Sequence, residues 1–195
     1  MSNKEKQIDK RLLATYIELD NFVALMFKKE SLNDFLETTE SYLIDAYVSG
    51  FKDTLTELGQ DTALIDEINI IPNLQTALEQ ASGGMTYRNR IVLGYFEYST
   101  AEMQRLITNE YHRIYNIGAY NAAEHLESQG KKIGKQWHTM LDESVRDTHA
   151  YIEGDVVLLG DYFYTWDGDR ALYPGDFMKP ENDIGCRCRI TYEEI

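Results

Sequence analysis

Along the first two thirds of this chain, apolar residues recur at three- and four-residue steps, and after Gly134 that periodicity stops. Apolar positions on a helical period are buried by packing helix against helix. The remainder reads differently: short apolar runs alternate with Gly-Asp turns, which is the pattern of strands and hairpins. The expected fold class is therefore α+β. Residues 1–134 form a mainly α-helical region, a bundle or long helical hairpins, and residues 135–195 form a small α+β domain with short antiparallel strands. A chain of 195 residues suits one ordinary domain or two small ones.

The helical grammar is explicit in places. A first helix is expected from about Lys4 to Lys29, with Ile8, Leu12, Tyr16, Leu19, Val23 and Met26 on one stripe and charges opposite. With no obvious internal partner for that stripe, Ile8, Leu12, Tyr16, Leu19 and Val23 are read as a docking surface for another protein. Ser31 and Asp34 read as the N-cap and first-turn acid of a second helix, closed by Gly59. Ile70-Ile71-Pro72 reads as a break. Leu74, Ala77, Leu78 and Ala81 then suggest a short helix stopped by Ser82-Gly83-Gly84. Ser99-Thr100-Ala101-Glu102 is a capping box opening a long helix, and Gly130 followed by Lys131 and Lys132 ends it. His112 and His125 within that helix read as ordinary helix residues.

The chemistry is concentrated near the C-terminus, in Trp137, Asp142, Arg146, His149 and the tripeptide Cys186-Arg187-Cys188, which holds both cysteines of the chain. Asp142 is expected to cap a short helix that carries Arg146 and His149 one turn apart on a common face. Asp142 and Arg146 then form an i,i+4 pair. Val156 to Leu159 and Tyr162 to Tyr164 read as strands, and Tyr173-Pro174-Gly175-Asp176 as a type II turn. A last strand places Cys186, Cys188 and Ile190 on one face and Arg187 and Arg189 on the other. Thiols this close cannot bridge without strain, and such pairs suit a reducing compartment.

Two readings of the thiols stay open. One is a metal site with His149, Cys186 and Cys188 as ligands and His138 or Asp142 as a fourth, a structural zinc being the metal such ligands suit. The other is a packed cluster, since free cysteine is among the most buried residue types. A Cys–His nucleophile is weaker, because no oxyanion turn stands beside either cysteine and the zinc deaminase spacing is absent. Asp167-Gly168-Asp169 reads as a turn, because the ladder of oxygen ligands of a calcium loop is missing.

The order and spacing of these residues resemble a known family. Trp137, Asp142, Val145-Arg146, His149, a short strand pair, the Tyr173-Pro174-Gly175-Asp176 turn and Cys186-Arg187-Cys188 together are similar to the C-terminal domain of the phage Mu F-like head morphogenesis proteins, minor capsid proteins of tailed phages and prophages. The resemblance covers residues 135–195. One departure is Gly185, where the family usually has Asn; both residues tolerate positive φ. The resemblance implies a structural polar cluster of Trp137, Asp142, Arg146, His149, Cys186 and Cys188. It also implies a portal-associated structural protein acting in head assembly or DNA delivery, with portal or other head proteins as partners. Neither a small-molecule substrate nor a cofactor is implied. Such a protein is found in the host bacterial cytoplasm during assembly and then in the virion head. The alternative is a small phage-encoded effector enzyme or toxin built on His149, Cys186 and Cys188.

Charge narrows the partners. The formal net charge is −14, and residues 135–195 hold 6 basic and 13 acidic residues. Phosphate backbones and anionic membrane surfaces are bound by clustered Lys and Arg, so direct nucleic-acid and membrane-surface binding are disfavoured. No run reaches the length of a transmembrane span, and Met1-Ser2-Asn3-Lys4-Glu5-Lys6 lacks the apolar core of a signal peptide. Phosphate-loop, dinucleotide-binding and His-Glu-x-x-His motifs are absent.

Overall fold

The computed structural model describes residues 3–63, 70–79 and 85–195. Helices α1 (Asn3–Met26), α2 (Leu32–Glu57), α3 (Ile70–Glu79), α4 (Tyr87–Glu97) and α5 (Thr100–Ser128) come first. They are followed by β1 (Ile133–His138), α6 (Asp147–Tyr151), β2 (Val156–Leu158), β3 (Phe163–Tyr164), β4 (Arg170–Ala171), α7 (Pro180–Asp183) and β5 (Arg189–Glu194). The architecture is α+β, helical first and then short antiparallel strands.

Local signals set several boundaries. Ser31 Oγ accepts the Asp34 N–H at 3.2 Å. Ser99 and Glu102 cap one another reciprocally at the start of α5. Pro72, expected to break a helix, instead stands in the first turn of α3. There its missing N–H removes no intrahelical bond. Ala81 and the Ser82-Gly83-Gly84 stop lie outside the described residues.

The apolar stripe of α1 has an internal partner. Leu12, Leu19 and Val23 are buried in the helical core, and Ile8 and Tyr16 pack half-buried against it. The polar flank of α1 is tied to α5: the Asp20 carbonyl accepts Gln104 Nε2 at 2.8 Å, and Tyr16 Oη meets His112 Nδ1 at 2.7 Å. The expected docking surface of Ile8, Leu12, Tyr16, Leu19 and Val23 is thus consumed within the fold. The large apolar residues that α1 leaves exposed are Leu13, Ile17 and Leu25.

Two hydrophobic cores meet along α5. The first joins residues such as Leu19, Phe35, Leu43, Phe51, Ile91, Ile107 and Ile114. The second sets Ala119, Tyr120 and Ala123 of α5 against Ile133, Trp137, Ile152, Phe163, Phe177 and Tyr192. In the three-stranded antiparallel sheet, ordered β2-β1-β5, Trp137 pairs with Ile190 and Gln136 with Val156. Side-chain alternation turns Ile133, Lys135 and Trp137 of β1 to the buried face. Lys135 Nζ donates to the Leu172 carbonyl at 2.8 Å and lies 5.2 Å from the Tyr120 and Phe163 ring centroids. Burial pushes its pKa down to about 8.

The tightest contact is glycine on helix. A Cβ at Gly50 of α2 would overlap the Tyr115 carbonyl of α5, and one at Gly118 of α5 would overlap the Tyr47 carbonyl of α2. The two backbones touch because neither position has a side chain. Alanine has a higher helix propensity than glycine by about 1 kcal/mol. Overpacking a core typically costs about 1–3 kcal/mol, and a clash with backbone falls at the upper end. Gly50→Ala and Gly118→Ala should therefore each lower unfolding free energy in urea despite the propensity gain, and a stabilised variant would show that the helices can part freely.

Candidate functional site

The buried end of the second core gathers aromatic rings, an imidazole and both thiols. His149, in the five-residue α6, is 1% exposed. Its ring stacks on Phe177 at 5.0 Å and meets the edge of Trp137 at 5.9 Å. Trp137 also packs against Phe163 and Phe177. His149 Nδ1 lies 3.7 Å from Cys186 Sγ and 3.3 Å from Cys188 Sγ, and all three ligand atoms fall within 4.8 Å of one another. The Cys188 N–H donates to Cys186 Sγ at 3.4 Å. The sequence places both cysteines in the last strand, but β5 begins at Arg189. Alternation nevertheless holds in the extended segment before it, with Arg187 exposed between two buried cysteines.

The electrostatics separate the two thiols. Cys186 ionises first: the Cys188 hydrogen bond lowers its pKa, burial opposes, and His112 and His149 lower it further. Cys188 is pushed up by that same neighbour and by burial.

Asp142 and Arg146 sit outside this cluster and not with each other. Asp142 Oδ1 accepts the Ser144 N–H at 3.0 Å and pairs with the Arg187 guanidinium at 2.7 Å. Because the Asp142 carboxylate closes its own local turn, α6 starts only at Asp147, with Arg146 in extended conformation at its N-cap. Arg146 is therefore not on a helix face with His149, and its guanidinium donates to the Ile184 carbonyl. Both residues grip the segment 184–188 from the solvent side. The Gly185 N–H is held from the other side by Asn109 Oδ1 of α5 at 3.0 Å. Gly185 has φ +73°, a conformation that Asn also tolerates. His138 faces Thr191 at 2.8 Å, and Asp142 is committed to Arg187, so neither supplies the expected fourth metal ligand.

The sequence reading passed over three residues that the fold uses. Asp169 is 2% exposed, and its two oxygens accept four N–H groups, from Arg170 (2.8 Å), Met178 (3.1 Å), Lys179 (3.1 Å) and the Asn182 amide (2.8 Å). Asn182 Oδ1 in turn accepts Thr148 Oγ1 at 2.9 Å, which fixes α6 beside α7. His112, read as an ordinary helix residue, lines one cavity with Cys186 from α5. The sequence carries no signal for it, since His112 stands between Tyr111 and the charged Arg113.

The family described as Phage Mu protein F like protein matches residues 69–191. The chain belongs to that family. The match takes in α3, α4 and α5 as well as the C-terminal segment, and so extends well beyond the residues 135–195 that carry the sequence resemblance. The minor head protein GP7 of Bacillus phage SPP1 is 25% identical over 130 residues, which cover 64% of this chain and 41% of that protein. The chain thus spans less than half the length of this relative. No solved structure matches. Within the Mu F-like region, the buried cluster lies at the seam between α5 and the C-terminal strands.

The Asp169 hub yields a direct test. Burial raises its pKa, but bonds from Asn182, Arg170, Lys179 and Met178 outweigh that, and the net shift is downward. A carboxylate with a depressed folded pKa stabilises the fold above its unfolded value near 4, and that contribution fades on acidification. In Asp169→Asn an amide NH2 faces two N–H donors whichever oxygen it replaces. Urea unfolding at pH 7 should show a loss of about 2–4 kcal/mol, and the variant should lose less stability than wild type between pH 5 and pH 2. Equal stability at pH 7 would remove Asp169 as the organiser of this loop.

Proposed function

We propose that this chain is a structural component of a phage or prophage head, docked at the portal vertex through other head proteins and acting in head assembly or DNA delivery. It is made in the host bacterial cytoplasm and carried into the virion head. Membership of the Mu F-like family is the observation that carries this reading, and the likeness to the SPP1 minor head protein supports it.

The site supports a structural role over a catalytic one. Cys186 and Cys188 are 6% and 3% exposed, and His149 between them is covered by Phe177 and Trp137. A nucleophile needs a path for its substrate. The effector or toxin reading relies on these same residues, so their burial speaks against it. Acidic residues outnumber basic ones on both sides of Gly134, which disfavours direct contact with packaged DNA. Among the described residues no helix is long and apolar enough to cross a membrane.

Docking on a partner uses surface that the fold leaves uncovered. On α4, Val92, Leu93 and Phe96 are 37%, 43% and 67% exposed, and Trp166 beside the β3–β4 hairpin is 62% exposed. Large aromatic residues left in solvent are typical anchors of protein interfaces. Co-expression with the portal protein of the same phage should give a complex that survives size exclusion, and Phe96→Asp or Trp166→Asp should weaken it at least about tenfold. Separate elution of the two wild-type proteins, together with absence of the chain from purified heads, would reject the proposal.

A further inference from the structure

Two of the four histidines converge on the paired cysteines from opposite sides. His149 arrives from α6, and His112 arrives from α5. His112 is 6% exposed, and its Nδ1 is engaged by Tyr16 Oη at 2.7 Å, which leaves Nε2 as the free ring nitrogen. That nitrogen is buried and has no hydrogen-bond partner. His112 and Cys186 line one and the same cavity. A buried imidazole nitrogen without a partner, in a cavity shared with a thiol, is a polar group that the protein alone leaves unsatisfied.

We propose that Cys186, Cys188, His149 through Nδ1 and His112 through Nε2 bind one zinc ion in a closed structural site. With Zn–S near 2.3 Å and Zn–N near 2.0–2.1 Å, sulfur and nitrogen ligands of a tetrahedral ion stand about 3.5 Å apart. The observed separations from His149 Nδ1, 3.3 and 3.7 Å, bracket that value. His112 stands outside this tight triad and completes the set from α5. Two thiolates neutralise a divalent ion, so the assembled site carries no net charge and its burial is far less costly than that of a lone ion. Thiolate with imidazole in a tetrahedral set favours zinc over the hard cations.

An outer shell is in place around these ligands. Tyr16 orients the His112 ring, and the Cys188 N–H donates to Cys186 Sγ. The Trp137 ring packs edge-on against the His149 imidazole. Such contacts fix ligand orientation and support the charge of a metal-bound thiolate. The ion would join α5 to the segment 186–188 and to α6.

The full-length chain, purified without chelator, should hold one zinc per chain by plasma mass spectrometry, and strong chelation should lower its melting temperature. Cobalt(II) added to the stripped protein should give the visible absorption of a tetrahedral sulfur–nitrogen site. His112→Gln should lose that tetrahedral spectrum and weaken metal affinity by more than Tyr16→Phe, for which about 10–100-fold is expected. Wild-type protein that neither retains zinc nor gains thermal stability from added zinc would overturn the site, without recourse to any variant. Metal binding that is indifferent to His112→Gln would overturn the assignment of the fourth ligand.

Discussion

Helix α5 is buried on every side through its middle, from Glu110 to Tyr120 without interruption, and the rest of the structure is arranged to cover it. A surface helix needs one apolar face, but a helix enclosed all round has to satisfy its polar residues internally. Glu110 is met by Arg90 and Arg113, Arg113 also donates to the Ala77 carbonyl, and the Asn116 amide donates to the His112 carbonyl. Burial raises the Glu110 pKa, but the two guanidinium groups outweigh it and the carboxylate stays ionised. Arg90 comes from α4 and the Ala77 carbonyl from α3, while the other partners lie within α5 itself, and residues of α5 line both cores.

That enclosure explains the closeness of α2. Gly50 and Gly118 let the two backbones meet, which leaves the opposite flank of α5 free to receive the C-terminal strands through Ala119, Tyr120 and Ala123. The small Ala119 and Ala123 let β1 pack close to the helix, and Lys135 spans the gap to the Leu172 carbonyl. The C-terminal segment has little regular structure of its own. Its strands β3 and β4 are two residues each, and α7 is four. Polar hubs do the organising there: Asp169 with its four N–H donors, Asn182 with Thr148, and Asn109 with Gly185. Short loops of this kind are ordered when their buried polar groups find partners, and they are the first part to loosen when one is removed.

Features that rest on local chemistry were legible in the sequence. The caps at Ser31 and Ser99 and the Pro174-Gly175 turn depend on residues within a few positions of one another, and they stand where the sequence puts them. Gly185 is a similar case, since its positive φ could be anticipated from the residue type alone. What the sequence obscured was long-range choice. Asp142 has Arg146 four residues away and takes Arg187 instead, because the chain fold returns segment 184–188 past it. The α1 stripe seemed unpartnered only because its partner, α5, lies far along the chain. His112 and Asp169 gave no signal beyond being polar, and each gains its role from segments that arrive later.

Helix α5 couples the helical core and the C-terminal strands into one cooperative unit. Native-state hydrogen exchange followed by mass spectrometry tests it most directly, because it resolves the opening free energy of each segment. Backbone amides of α5 between residues 110 and 120 and those of β1 and β5 should share the slowest exchange and respond to denaturant with the same slope. Exchange of β1 and β5 through a low-energy opening, while α5 stays protected, would contradict the claim and make the strands an accessory to a self-sufficient helical bundle.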